Sequence, residues 1–333
     1  MYKSRKDLIN LKNTHYYHCI SRCVRRTFLC GHDSGSGKCF EHRRGWIADR
    51  MKWLAQNFTI GICSYSVMAN HYHAVLKVLK NQSVNLTDEE VIERWTNVYP
   101  SGKTKLQLYL NSSTSELEAT ESAKELIAQW RERLCSISWF MSALNHGIAC
   151  RANKEDKCNG HFWEARFKSQ ALVGDMAILA CMGYVELNPI RAGIAKDLNT
   201  SAFTSIKERI DALIAADNEV EKGGDEDKKA KYTLFQPEGL LPFGHKDSKD
   251  EMCFSLVDFI DMVDWTGRAV RNDKRGFIDN RLPTMVSQLK ITKERWLYLA
   301  QQFERKFANF AGKREMLYLL AGQLDQTHLK GVG

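Results

Sequence analysis

The chain has 333 residues, 44% hydrophobic and 26% charged, a composition that excludes wholesale disorder and fits a core domain with additions. No apolar run reaches the ~18 residues of a membrane span. No secretory leader pattern is visible either, so a cytoplasmic protein with ten reduced cysteines and no membrane partner is expected.

The net charge of +8 is uneven: residues 1–60 carry +8, 81–130 carry −4, 200–260 carry −5 and 261–333 carry +5. That distribution suggests a polyanion partner for part of the surface, with an ordinary basic surface as the alternative. Residues 15–30 are rich in aromatic and β-branched side chains and predict a first strand, followed by a Gly/Ser loop at 31–37. Residues 40–58 space Trp46, Ile47, Met51, Trp53, Leu54 and Phe58 at a helical period. Residues 59–68 and 71–79 predict two strands joined by a tight Ala69-Asn70 turn. This β-α-β-β unit is half of a ferredoxin-like split βαβ fold.

Residues at about 81–130 predict a helical insertion, opened by Thr87-Asp88-Glu89-Glu90 with acid in the first turn. A long helix is expected over roughly 121–152, a strand over 162–173 and a helix over 175–187 closed by Asn188-Pro189. Residues 201–252 predict a charged linker region and 253–333 a mostly helical accessory domain. The fold class is therefore α+β: a ferredoxin-like antiparallel sheet core with helices on one face, a helical insertion and a mostly helical C-terminal extension.

Three segments can carry chemistry. In His71-Tyr72-His73 the alternation of a strand turns both imidazoles to one face, ~6–7 Å apart along the chain, within reach of one metal ion if both are neutral. Taken alone, two partly exposed or core histidines are the commoner outcome of such a pattern. On a helix, Tyr184 and Asn188 share a face one turn apart, so a phenol and an amide oxygen can approach one locus. An aromatic core residue followed by a C-terminal Asn and a Pro stop explains the same residues. Pro189 places Asn188 at the end of that helix, and Glu186 should face away from Tyr184. In Gly160–Ser169, a strand would interleave Trp163 with Arg166 and Lys168, a mixture suited to single-stranded nucleic acid; a half-buried strand with solvated charges is the alternative. Residues 31–38 do not match a phosphate-binding loop, and Cys30, His32, Cys39 and His42 do not have a familiar zinc spacing.

The segments MANHYHAVLKV, GHFWEARFKSQAL and YVELNPIRAGI, in this order, resemble the HUH single-tyrosine transposases, in particular the REP-associated tyrosine transposases and related bacterial insertion-sequence transposases. The resemblance covers roughly residues 12–196 and implies a catalytic domain over 1–200. It implies that His71, His73 and Asn188 bind a divalent metal ion (Mg or Mn) and that Tyr184 is the nucleophile. It also implies cleavage and rejoining of single-stranded DNA near hairpins through a 5′-phosphotyrosine, by a monomer or a homodimer with the tyrosine in cis or in trans. Candidate DNA contacts are Arg22, Arg25, Arg26, Arg43, Arg44, Trp163, Arg166, Lys168 and Arg191. Tyr72 is an atypical filling for the middle of the histidine motif. The alternatives are a non-cleaving hairpin-binding regulator derived from a transposase and a metal-dependent phosphoesterase that uses water.

Overall fold

In the computed structural model, the described residues are 9–11, 13–24, 30–32, 37–111, 116–223, 236–244, 251–270, 281–307, 309–323 and 329. Arg25 and Arg26, part of the 31–37 loop and part of the expected linker lie outside them.

The core is β1 (Tyr16–Arg22), α1 (His42–Asn57), β2 (Ile60–Val67), β3 (His71–Val78), α6 (Ile137–Glu155) and β4 (Lys168–Val173). The sheet order is β2-β3-β1-β4, every pair antiparallel, with β5 (Phe310–Gly312) added beside β4 in parallel. The α+β class and the ferredoxin-like core are as the sequence predicts. Both crossover helices cover one sheet face, because their apolar stripes meet the strand residues that point there. Ile47, Met51 and Leu54 of α1 and Phe140, Met141, Leu144 and Ile148 of α6 share a core with Tyr17, Cys19, Tyr72, Ala74 and Leu76. Burying each such side chain contributes roughly 1.5–3 kcal/mol.

Between β3 and α6 lie α2 (Lys80–Asn85), α3 (Asp88–Val98), α4 (Ser101–Asn111) and α5 (Glu116–Leu134), the expected helical insertion. Thr87 starts α3 with a capping box: its hydroxyl accepts from the Glu90 N–H while the Glu90 carboxylate accepts from its own N–H. The expected helix over 121–152 is instead two helices, α5 and α6, broken at Cys135-Ser136. Neither Gly nor Pro marks the break. Thr59 draws it, its N–H and hydroxyl both donating to the Leu134 carbonyl, while Ser136 turns extended.

The other sheet face is also covered. After β4, α7 (Asp175–Glu186) is apolar almost throughout and buried on all sides, as a helix wedged between two layers must be. Beneath it lie His18, His73, Val75 and Leu172; above it pack α10 (Leu256–Val270) and, after the short α11 (Thr284–Gln288), α12 (Lys293–Lys306). The described residues of 253–333 thus share a core with α7 rather than standing apart as an accessory domain. Trp296, Leu299 and Phe303 form the apolar stripe of α12 and, with Phe307 just beyond it, share a core with α7; the chain then returns to the sheet as β5. Gly312 is needed there, since a Cβ would lie 2.9 Å from the Val173 carbonyl oxygen.

The expected linker is corrected too. Residues Ser205–Gly223 form a helix, α9, whose buried Arg209 donates to the carbonyls of Cys63 in β2 and Leu241. Charge composition suggested a solvated segment, but this guanidinium is buried, with Nη2 held by two backbone carbonyls. Finally, the strand expected over 162–173 begins only at Lys168. Residues 162–167 run irregularly beside the end of β1, with the Val24 N–H on the Phe162 carbonyl and the Glu164 N–H on that of Arg22.

Candidate active site

Strand alternation turns Tyr16, His18, Ile20 and Arg22 of β1 toward α7, and across the ladder His18 lies opposite Val75 and Arg22 opposite His71. His71 and His73 project from β3 on the same face, their ring centroids 4.9 Å apart. Tyr184 of α7 comes down onto them, its ring 5.8 Å from that of His73 and edge-on. The sequence-predicted histidine pair and tyrosine therefore meet, within one chain. Tyr72 points to the opposite face, where it donates to Asn145 of α6 at 2.6 Å.

The hydrogen bonds around the imidazoles assign their tautomers. His71 Nδ1 faces Asn70 Oδ1 at 2.5 Å and must donate, leaving Nε2 with the lone pair. For His73 the assignment starts at Gln170. Its Oε1 accepts from His18 Nδ1 at 3.4 Å, so neutral His18 carries its lone pair on Nε2. That lone pair accepts the His73 Nδ1 proton at 3.0 Å. His73 Nε2 is then a buried lone pair without a hydrogen-bond partner. Burial, joined for His71 and His73 by the Arg22 charge, pushes His18 and His71 down to about 4 and His73 well below its ordinary value. All three are neutral at pH 7.

Asn188 follows α7 after Leu187, which keeps right-handed helical geometry, and opens a short turn, α8 (Asn188–Arg191), with Pro189 in its first positions. The chain thus continues helically through Asn188 rather than stopping there. Asn188 is buried, and its Nδ2 has no partner.

These residues fit a divalent cation. Two neutral imidazoles with free Nε2 lone pairs, each held by a hydrogen bond at Nδ1, form a supported ligand pair, and an unpartnered buried amide lies one turn beyond Tyr184. Among the described residues, no group of three or more His, Cys, Asp or Glu gathers as a metal site; the Asn188 amide could offer an oxygen ligand through Oδ1. Cys30, His32, Cys39 and His42 do not gather as a metal site either.

Tyr184 is enclosed by His18, His73, Phe303 and the Arg191 guanidinium, which lies 4.6 Å above its ring. Its hydroxyl donates to Glu304 Oε2 of α12 at 2.7 Å. Burial first, then the hydrogen bond to and charge of Glu304, raise its pKa above the ordinary phenol value, with Arg191 partly opposing. The tyrosine therefore rests as a phenol.

Glu186 does face away from Tyr184. A β-bulge between Ile62 and Ser64 sets Ser64 where its hydroxyl donates to Glu186 at 2.8 Å. Glu186 also accepts from the Ser205 hydroxyl and, at 3.1 Å, from the Ile206 N–H in the first turn of α9, an anchor that suits an acceptor at a helix start.

The expected DNA contacts divide. Arg22, Lys168 and Arg191 are exposed; Arg22 lies across from His71, Lys168 across from Ile20, and Arg191 sits on Tyr184. Arg166 is exposed but off any strand. Arg43 and Arg44 are corrections. Arg43 is buried, with its Nε 2.6 Å from Glu155 and its Nη2 on Asp156, and Arg44 is buried against Glu41. Their spacing on α1 turns them into the fold. Trp163 is also turned away, edge-on to Tyr72 and donating to the Asn145 carbonyl at 2.8 Å.

Sequence reasoning missed His18 and Glu304. Alternation in β1 does place His18 on one face with Arg22, but not against β3. Glu304 gives no local signal, since its partner lies 120 residues earlier.

No family model matches the chain, and no curated protein matches it. A solved structure described as a REP-associated tyrosine transposase bound to a REP hairpin aligns with 63% of this chain and 86% of its own, at 12% identity and a TM-score of 0.33. A superposition that loose assigns no role to any residue. Among the described residues no helix is long and apolar enough to cross a membrane.

Proposed function

We propose that this protein is a metal-dependent strand-transfer nuclease that cleaves and rejoins single-stranded DNA through a covalent bond to Tyr184. The observation that carries the proposal is the meeting of Tyr184 with His73, whose buried Nε2 lone pair is unpartnered. A core histidine normally finds a hydrogen-bond partner for such an atom. Here the Nδ1 of each histidine of the pair is hydrogen-bonded, while His73 Nε2 has no partner among the described residues.

His71, His73 and Asn188 would hold the cation, and when bound it supplies a Lewis acid that polarises the scissile phosphate. The chain's own residues do the rest. The rigid β-ribbon and α7 fix Tyr184 near that phosphate, which converts a bimolecular attack into a positioned one. Exposed Arg22, Lys168 and Arg191 offer cations to neighbouring phosphates. Attack of the phenol oxygen forms a 5′-phosphotyrosine and releases a 3′-hydroxyl. Attack by another 3′-hydroxyl rejoins DNA without ATP, since the ester bond energy is retained on the protein. Single-stranded DNA beside a hairpin is the substrate that the motif resemblance implies.

The test is incubation of labelled single-stranded hairpin DNA with Mn²⁺ and either the wild-type protein or Tyr184→Phe. A denaturation-resistant protein–DNA adduct is expected for the wild type and none for the variant. An adduct that persists in Tyr184→Phe removes the nucleophile assignment. Cleaved DNA with no protein attached indicates hydrolysis by water, and hairpin binding without cleavage indicates a regulator.

A further inference from the structure

Helix α12 contributes the one carboxylate among the described residues that touches the Tyr184 hydroxyl. Its placement is firmly determined by the fold. Thr292 caps the helix, its hydroxyl accepting from the Arg295 N–H at 3.2 Å. Trp296, fully buried, donates from Nε1 to Thr266 of α10 at 2.8 Å, and Phe303 is buried against the Tyr184 ring, their centroids 5.9 Å apart. Beyond the helix, β5 ties the chain to the sheet. Glu304, next to Phe303, is thereby held at the rim of the site, with one carboxylate oxygen on the phenol and its side chain open to solvent.

We infer that Glu304 is a catalytic residue: the base that takes the Tyr184 proton during attack on DNA and returns it on rejoining. The inference deepens the proposed function and rests on Tyr184 as nucleophile. It gives residues 293–306, which the motif resemblance does not reach, a direct part in the chemistry.

The need for such a base follows from the surroundings. Tyr184 rests as a phenol, and a neutral phenol is a weak nucleophile unless its proton is accepted as the new bond forms. The other groups that face Tyr184 are poor acceptors. The imidazole rings of His18 and His73 meet it edge-on rather than through a hydrogen bond, and Arg191 is a cation. Glu304 alone among the described neighbours is hydrogen-bonded to the hydroxyl as an anionic acceptor. Burial alone would raise Glu304, but the Tyr184 hydrogen bond and the His18, His71 and Arg22 side chains outweigh it and hold it below the usual carboxylate value. It is ionised at pH 7 and ready to accept.

The step balances as follows. A lone pair of Tyr184 Oη forms the Oη–P bond as the Oη–H proton passes to Glu304 Oε2. The bond between phosphorus and the 3′ oxygen breaks, its electron pair leaves on that oxygen, and solvent water supplies the proton that makes the 3′-hydroxyl. In the reverse direction an incoming 3′-hydroxyl loses its proton to solvent and attacks phosphorus. The Oη–P bond breaks, and Glu304 returns its proton to Tyr184.

The experiment compares the rate of adduct formation by wild type, Tyr184→Phe and Glu304→Gln on a single-stranded hairpin oligonucleotide with Mn²⁺, together with oligonucleotide affinity and melting temperature. Glutamine keeps size and a hydrogen-bonding oxygen but cannot take the proton. Glu304→Gln is expected to react about 10²–10⁴-fold more slowly, the usual worth of a general base, with affinity and melting temperature unchanged. Replacing Tyr184 with 3,5-difluorotyrosine, a more acidic phenol, should recover part of the loss in Glu304→Gln, which a structural role for Glu304 would not produce. A wild-type rate in Glu304→Gln, with Tyr184→Phe inactive, overturns the base assignment and leaves the nucleophile intact. A faster rate does the same, and marks Glu304 as a restraint on the tyrosine. Absence of any adduct in the wild type overturns both.

Discussion

Replacement of His18 by Leu tests the least expected element of the site. His18 touches no predicted metal position directly. Its part is to accept the His73 Nδ1 proton at 3.0 Å and, through Gln170, to fix which nitrogen of His73 bears the lone pair. Both imidazoles are buried, so no water takes over the lost acceptor. Leaving one buried N–H unsatisfied costs about 1–3 kcal/mol. Removing a supporting partner of a histidine ligand typically lowers metal affinity about 10–100-fold, a similar energy. His18→Leu is therefore expected to weaken Mn²⁺ binding by that factor, while His18→Gln, which restores an oxygen acceptor, recovers most of it. The assay is titration of the full chain with Mn²⁺, following free ion by electron paramagnetic resonance at pH 7.5, without DNA. Wild-type Mn²⁺ affinity in His18→Leu would refute the positioning role. Undetectable binding in the wild type would refute the metal site itself.

The same variant separates a pH effect. His18 titrates at about 4 in the fold against 6.5 ordinarily, so below pH 6.5 the unfolded chain binds a proton that the folded one refuses. Stability from this group is complete above pH 6.5 and falls as pH drops toward 4, by about 2 kcal/mol at pH 5. Glu186, raised to about 7 by burial despite its hydrogen bonds, has the opposite sign: it costs stability as pH rises from 4.5 through 7. The wild-type profile mixes the two, but the stability difference between wild type and His18→Leu should shrink by about 2 kcal/mol from pH 7.5 to pH 5 in denaturant unfolding; a pH-independent difference contradicts the assignment. Arg22 and Arg43 should also separate. Arg22→Ala is expected to weaken single-stranded DNA binding and reduce its log–log salt slope by about 1 with unchanged melting temperature. Arg43→Ala should cost about 1–2 kcal/mol of stability, discounted for the partly exposed Glu155, with an unchanged salt slope.

Where sequence reading succeeded and failed has a physical basis in the range of the interactions. The β-α-β-β unit was legible because alternation and helical periodicity are local, and His71 and His73 had to share a face once β3 was placed. Tyr184 likewise followed from helical spacing, while its approach to the histidines followed only from the resemblance. The long helix over 121–152 was misread because its break is made by Thr59, which captures the Leu134 carbonyl from outside the segment. The arginines of α1 looked like a basic face, yet Arg43 is neutralised by Glu155 and Asp156 from a helix more than 100 residues later. Residues 253–333 read as an independent helical unit because amphipathic stripes do not name the surface they cover. In the fold that surface is α7, and the consequence reaches the candidate site: the helix that packs on α7 also sets the Glu304 carboxylate on the Tyr184 hydroxyl. Such a contact has no sequence pattern, because it depends on two elements being clamped between the same sheet and the same apolar layer. The parts of the site drawn from one strand or one helix were legible, and the parts that join distant segments, His18 to His73 and Glu304 to Tyr184, required the fold.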